Sequence, residues 1–408
     1  MLKNITFIGI VVGIILVGIS AWFFLHTSTQ TQTADQPGNF GTGSDRSFTD
    51  TSTNSSATPT TGTSTTQLST KRIFKISDGP VAGATFVQTL RPTTTLARFV
   101  LADNGHVADL VLDSAGAVSR AVSNTTIPGV TRALWGEGGG SSIVQYLDGT
   151  VVKTAYLGFP ATSTATSSLN RATRLQFLPD GIADVAVSPD GKNVAYILKT
   201  SAGVDGYTAK IDGAGSKKLF SLPLSEILIS WPSQNLLLAQ MKSAANVPGS
   251  VFSVNVSSGA VTPLLYAPGL SINADKSFSR VMYQTVGINQ SSYIHDIESG
   301  NDIPLSSDPI PEKCAWSSIS TAIIYCATPS QYVPPNYLDL WHQGAASVAD
   351  TIVAFNTITG KSAILIAPGG NQGGVESDIV EMSQSIDGRY LLFIKKGDRS
   401  LWGVRLGQ

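Results

Sequence analysis

The sequence predicts an all-β fold: a seven-bladed β-propeller of four-stranded antiparallel blades, ring-closed by an N-terminal strand and preceded by one transmembrane helix and a disordered linker. Three observations predict it. From about Arg72 to Gln408, short runs of Val, Ile, Leu, Phe and Tyr alternate with Gly, Asp-Gly, Pro and Ser turns at roughly ten-residue intervals. A strand-turn-strand unit recurs at steps of about 43 residues, the length of one propeller blade. The last unit ends one strand short, while one strand is left over near the start of the folded region.

In chain order, residues 1–26 form a short stub and a membrane span. The run ITFIGIVVGIILVGISAWFFL, Ile5 to Leu25, carries no charge and is long enough, as a helix, to cross a bilayer core of roughly 30 Å. Lys3 precedes it and Asp35, Asp45 and Asp50 follow, with Arg46 among them, which orients the amino terminus toward the cytoplasm and the rest of the chain outside. The competing expectation, a cleaved signal peptide ending near Gly18-Ile19-Ser20, would leave the apolar Ala-Trp-Phe-Phe-Leu as a new terminus. Residues 27–70 are rich in Ser and Thr, with Gly, Pro, Gln and Asn; such a segment cannot bury enough apolar surface to offset its ordering entropy, and a disordered tether is expected.

Residues 71–408 hold the repeat. The clearest unit, IADVAVSPDGKNVAYIL from Ile182 to Leu198, turns on Ser188-Pro189-Asp190-Gly191, and EMSQSIDGRYLLFI repeats it with a turn at Ser385-Ile386-Asp387-Gly388. Degenerate copies open near Trp135, Trp231, Asn273 and Trp316, and a first copy near Arg91, giving seven. After each comes a second hairpin, such as VFSVNVSSGAVTPLLY or IVAFNTITGKSAILI, so a blade is two hairpins. The surplus strand, RIFKIS from Arg72 to Ser77, completes the last blade and removes two exposed sheet edges.

The SPDGKNVAYI unit, its SIDGRYLLFI echo and the strand-swapped closure resemble the TolB-like and tryptophan-aspartate-repeat-like β-propellers of prokaryotic envelopes. The resemblance spans about Arg72 to Gln408 and implies the fold. The chain lacks the Gly-His and Trp-Asp dipeptides of the eukaryotic repeats and the separate amino-terminal domain of TolB, so the role of TolB is not implied.

Composition narrows function. Charged residues make up 13% and the net charge is −1, against the roughly 25% charged fraction of ordinary soluble domains, which excludes a phosphate-tracking nucleic-acid surface. Two cysteines and four histidines cannot build a multi-site zinc framework, and no metal or other cofactor is expected. There is no Gly-x-Ser-x-Gly, no His-Glu-x-x-His and no phosphate-binding glycine loop. A non-catalytic binding or scaffold module is therefore expected, in contact with the membrane through residues 5–25 and with an envelope or surface protein or a glycan. The alternative is an extracytoplasmic hydrolase or lyase acting on glycan or peptide in the central funnel.

Candidate site residues follow from the blade plan. Cys314 and Cys326 flank a hairpin turning at Ser318 to Thr321 and should face each other as a cross-strand disulfide, the alternative being two buried thiols. The step from Trp316 to Ser385 is roughly 69 residues, so one blade carries an insertion, Thr328 to Asp350, between its second and third strands. Tyr332, Tyr337, Trp341 and His342 on this Pro-stiffened loop could offer aromatic faces to a ligand; the alternative is a lid folded back as packing. Loops expected on the same face carry Lys242, Glu312, Lys313, Lys395, Lys396 and Asp398, with Lys242, Lys313 and Lys396 as a local positive spot or as ordinary solvated turns. Asp190, Asp212 and Asp387 precede Gly and are expected to brace turns.

Overall fold

A computed structural model describes residues 71–90, 93–123, 125–159, 173–287, 289–370 and 376–407. The predicted transmembrane segment and linker lie outside these residues. Among the described residues no helix is long and apolar enough to cross a membrane.

The chain forms seven four-stranded antiparallel sheets, the predicted number. A short strand, β1 (Ile73–Lys75), comes first. Blade 1 is β2 to β5 (Val81–Leu90, Thr93–Leu101, Val107–Val111, Arg120–Ser123), and blade 2 is β6 to β9 (Val130–Trp135, Ser141–Asp148, Val151–Gly158, Arg174–Phe177). Blade 3 is β10 to β13 (Ile182–Val187, Asn193–Thr200, Gly203–Lys210, Lys217–Leu222), and blade 4 is β14 to β17 (Ile227–Ser233, Leu236–Met241, Pro248–Asn255, Val261–Pro268). Blade 5 is β18 to β21 (Ser271–Ala274, Arg280–Val286, Gln290–Asp296, Asp302–Pro304), and blade 6 is β22 to β25 (Cys314–Trp316, Ile323–Pro329, Asp350–Asn356, Ser362–Ile366). Blade 7 is β26 to β28 (Ile379–Gln384, Tyr390–Lys395, Leu401–Arg405), completed by β1, whose Ile73, Phe74 and Lys75 pair with Val404, Gly403 and Trp402. The closing strand is shorter than the Arg72 to Ser77 run the sequence suggests, but it occupies the predicted place.

The two best repeats are held by the same local chemistry. Ser188 Oγ donates to Asp190 at 2.6 Å and accepts the Asn193 N–H, while Gly191 takes a φ of 70° that a side chain would strain. In blade 7, Ser385 donates to Asp387 at 2.6 Å and accepts the Tyr390 N–H, with Gly388 at 74°. The degenerate copy near Trp231 differs: β14 runs on to Ser233 through a break in register after Ser230, so the turn falls beyond the tryptophan.

Second strands read as continuous apolar runs because neighbouring blades cover both their faces; in β27, Tyr390 to Ile394 are all buried. An apolar cluster fills each interface between adjacent blades, such as Phe74, Phe99, Leu110, Tyr390 and Leu392 between blades 7 and 1. Side-chain acceptors also reach across interfaces to backbone N–H groups of the next inner strand. Asp184 takes that of Ile229 at 2.7 Å, and Asp350 that of Ile379 at 2.7 Å.

Candidate functional site

Antiparallel blades put the loops joining second to third strands, and fourth to first, at the same ends of their strands. The insertion of blade 6 therefore shares a face with the loops bearing Lys242, Glu312, Lys313, Lys396 and Asp398, as the blade plan requires. It leaves β23 at Pro329, forms the helix α1 (Tyr337–His342) and returns at Asp350.

The helix is seated across the face rather than raised from it. Tyr337, Leu338 and Trp341 are buried in a cluster with Ala245 of blade 4, Val286 of blade 5, and Ile310 and Val380 beside them. Asp339 accepts the Ala245 N–H at 2.7 Å, tying the helix to the loop of blade 4. The aromatic faces of Tyr337 and Trp341 are thus enclosed by packing rather than offered to a ligand, because a six-residue helix is stable in this setting only when its apolar side is covered.

Lys313 departs furthest from its expected place in a surface positive spot. It closes a short 3-10 turn, Pro311–Lys313, and its side chain is fully buried. Its Nζ lies 2.6 Å from Asp350 Oδ2 and 2.8 Å from Asp378 Oδ1, and both carboxylates are equally enclosed. Trp341 Nε1 donates to Asp378 at 2.9 Å, and Lys396 donates to the Trp341 carbonyl at 2.5 Å while its Nζ sits 4.1 Å from the ring centroid, a cation-π contact. Burial pushes Asp350 up to about 6 against the pull of Lys313, lowers Lys396 and pushes the Tyr337 hydroxyl above its ordinary range. Asp350 Oδ1 and the Tyr337 hydroxyl, both enclosed, have no hydrogen-bond partner among the described residues.

Around this buried base lies a half-exposed rim. His342 Nε2 is 3.0 Å from Glu312 Oε2, and Ser271 donates to the other oxygen of Glu312 at 3.1 Å. Tyr332, between the start of the insertion and its prolines, is 88% exposed. Lys242 is exposed and makes no ion pair among the described residues, so the three lysines do not form one patch. Asp398 accepts from Ser400 at 2.6 Å and stays beside Lys395, as a turn residue.

The sequence did not single out Asp350 and Asp378 as partners of Lys313, nor two ion pairs made by inner-strand acids. Arg132 of β6 meets Asp184 of β10 at 2.5 Å, and Arg399 meets Glu381 of β26 at 2.8 Å. Glu381 and Arg399 both have left-handed backbone, φ of 53° and 56°. On the opposite face, a cleft of roughly 480 Å³ lies between the first-hairpin turns of blades 5 and 6, lined by Trp316, Ile319 and serines. Among the described residues no group of His, Cys, Asp and Glu could hold a metal ion. Cys314 and Cys326 pair in register and are disulfide-bonded.

No family model matches this sequence, and no curated protein matches it. Solved structures do. An oligogalacturonate lyase of Vibrio parahaemolyticus is similar at 10% identity over 84% of this chain and 96% of its own, with a TM-score of 0.52. The Swd1 β-propeller domain of Myceliophteria thermophila is similar at 9% identity over 82% of this chain and 100% of its own, TM-score 0.51. TolB of Acinetobacter baumannii matches at 10% identity over 80% of this chain, TM-score 0.42, and the chain spans 63% of its length. Identities this low show the β-propeller fold and nothing of the chemistry.

Proposed function

We propose that the chain is a membrane-anchored, extracytoplasmic binding module that presents the outer surface of its blade 6 insertion to a protein or glycan of the cell envelope. The observation that carries this reading is the contrast within the insertion: a base fixed by buried ion pairs and an aromatic, Tyr332, left 88% exposed. With its base fixed, less of the insertion has to be ordered when a partner binds, which favours affinity. The apolar run of residues 5–25 supports the anchor. The Cys314 to Cys326 disulfide supports an oxidising compartment. Glu312, His342 and Lys242, on loops of the same face, supply further hydrogen bonding, while low charge leaves stacking as the main source of recognition.

A hydrolase or lyase in the funnel would need acids or histidines free to act on a sugar or peptide. The inner-strand acids Asp184 and Glu381 are instead each held by an arginine.

The test immobilises the full-length chain in detergent and titrates purified envelope glycans and envelope proteins over it. Replacing Tyr332 with Ala should weaken capture by about tenfold or more, the effect of removing an aromatic anchor. Parallel incubation with oligogalacturonate, followed by absorbance of unsaturated uronate, examines the lyase alternative. Turnover there, or capture indifferent to Tyr332→Ala, overturns the reading.

A further inference from the structure

We propose that Lys313 and Asp350 condense into an intramolecular isopeptide bond, with Asp378 carrying the protons, so that the base of the blade 6 insertion is covalently closed. Lys313 Nζ lies 2.6 Å from Asp350 Oδ2, so the carboxyl carbon is within one further C–O bond of the nitrogen. Groups held this close react as if at very high concentration, and the reaction further needs the pair neutralised and the leaving oxygen protonated.

Three further features fit the reaction. Desolvation makes buried charges costly, and condensation removes one cation and one anion from the interior. It leaves Asp378 with Lys396, 3.8 Å apart, as a balanced pair. Second, the two oxygens of Asp350 are already unequal. Oδ2 accepts the Ile379 N–H at 2.7 Å and would stay as the amide oxygen, whereas the enclosed Oδ1 has no partner among the described residues and is the one free to leave. Third, Asp378 is fixed by Trp341 Nε1 and touches Lys313 Nζ at 2.8 Å, so it can accept a proton from the nitrogen without moving. The raised pKa of Asp350, set by burial, keeps its carboxyl readily protonated.

The balance closes without oxidant or co-reactant. One proton passes from the Lys313 ammonium to the Asp350 carboxylate, giving a neutral amine and a neutral acid. Nζ attacks Cγ, forming the C–N bond and a tetrahedral carbon; Asp378 takes the second proton from nitrogen, the turn of the Asp350 carboxyl that accompanies attack brings its Oδ1 hydroxyl to that proton, and the Cγ–Oδ1 bond breaks as Oδ1 leaves as water. Asp378 ends unchanged. The product ties the residue before β22 to the first residue of β24, across β23, next to the disulfide.

The sequence supplies a clean assay. Lys313 is the sole Lys or Arg between Arg280 and Lys361, while Asp378 falls in the next tryptic fragment, ending at Arg389. Full-length protein, reduced and denatured, is weighed intact and then digested with trypsin. The expected result is a chain lighter by one water, and a fragment from Val281 to Lys361 that lacks one water and is uncut after Lys313. Asp378→Asn should abolish that fragment and restore the full mass. Lys313→Arg should also restore the full mass. Cleavage after Lys313 in the unaltered protein, with no loss of water, overturns the proposal, as does a branched product joining Lys313 to the fragment containing Asp378.

Discussion

Arg389 of the last blade grips Asp113 of the first, its Nη1 2.7 Å from Asp113 Oδ1. The same guanidinium holds Asp387 at 2.8 Å, and Asp387 in turn accepts the Thr95 hydroxyl of blade 1 at 2.9 Å. The hairpin turn of blade 7 is therefore also a clasp across the junction where the ring closes.

Acid should open this clasp. Burial works against ionisation of Asp387, but hydrogen bonds from Ser385, Arg389 and Thr95 outweigh it and hold the group at about 2. A carboxylate depressed on folding stabilises fully above its unfolded value near 4 and loses that contribution as the pH falls toward 2. The loss should be of order 2 kcal/mol. Urea unfolding at about pH 5 and about pH 2.5 should show a smaller decline for Asp387→Asn than for the unaltered protein. Equal declines would refute the assignment.

The disulfide should matter as much. Cys314 and Cys326 lie 12 positions apart in the chain, closing a loop worth about 3 kcal/mol in the chain-entropy model. Replacing both with Ser should lower the unfolding free energy by about that amount, and reductant should then have no further effect. A variant as stable as the oxidised parent would show that the bond merely records proximity.

These local features are the ones legible from the residues alone. The Ser188, Asp190, Gly191 turn and its Ser385, Asp387, Gly388 copy are made by atoms a few positions apart, so the pattern carries its own geometry. The cysteine pairing follows from the hairpin register, and the closing strand from counting edges. Lys313 was illegible because its environment is set by distant chain: its partner Asp378 lies 65 positions away. An isolated Pro-Glu-Lys reads as a solvated turn until the blades are assembled. The orientation of Tyr337 and Trp341 was hidden for a related reason, since six helical residues are too few to show which side is covered.

The N-terminal strand should control both stability and aggregation. Phe74 is buried between blades 7 and 1, with its ring against Gly403 and the Arg405 guanidinium 4.3 Å from its centroid. Phe74→Ala should cost about 3–5 kcal/mol, as for other buried aromatics. Loosening β1 would also uncover the edge of β28, so light scattering should rise in the variant below its melting temperature. A variant that melts early without associating would mean the β28 edge is protected by something other than β1.

The insertion should separate stability from recognition. Trp341 is buried and its side chain supports two charged groups: its indole N–H binds Asp378 and its ring faces the Lys396 ammonium. Trp341→Ala should therefore destabilise by about 3–5 kcal/mol through a cavity and unpaired charge. Tyr332 touches little, and its replacement by Ala should change stability by no more than about 0.5 kcal/mol. Chemical denaturation of the two variants side by side reads the difference. If Trp341→Ala were neutral, the helix would not be seated on the face and the insertion would have no fixed base.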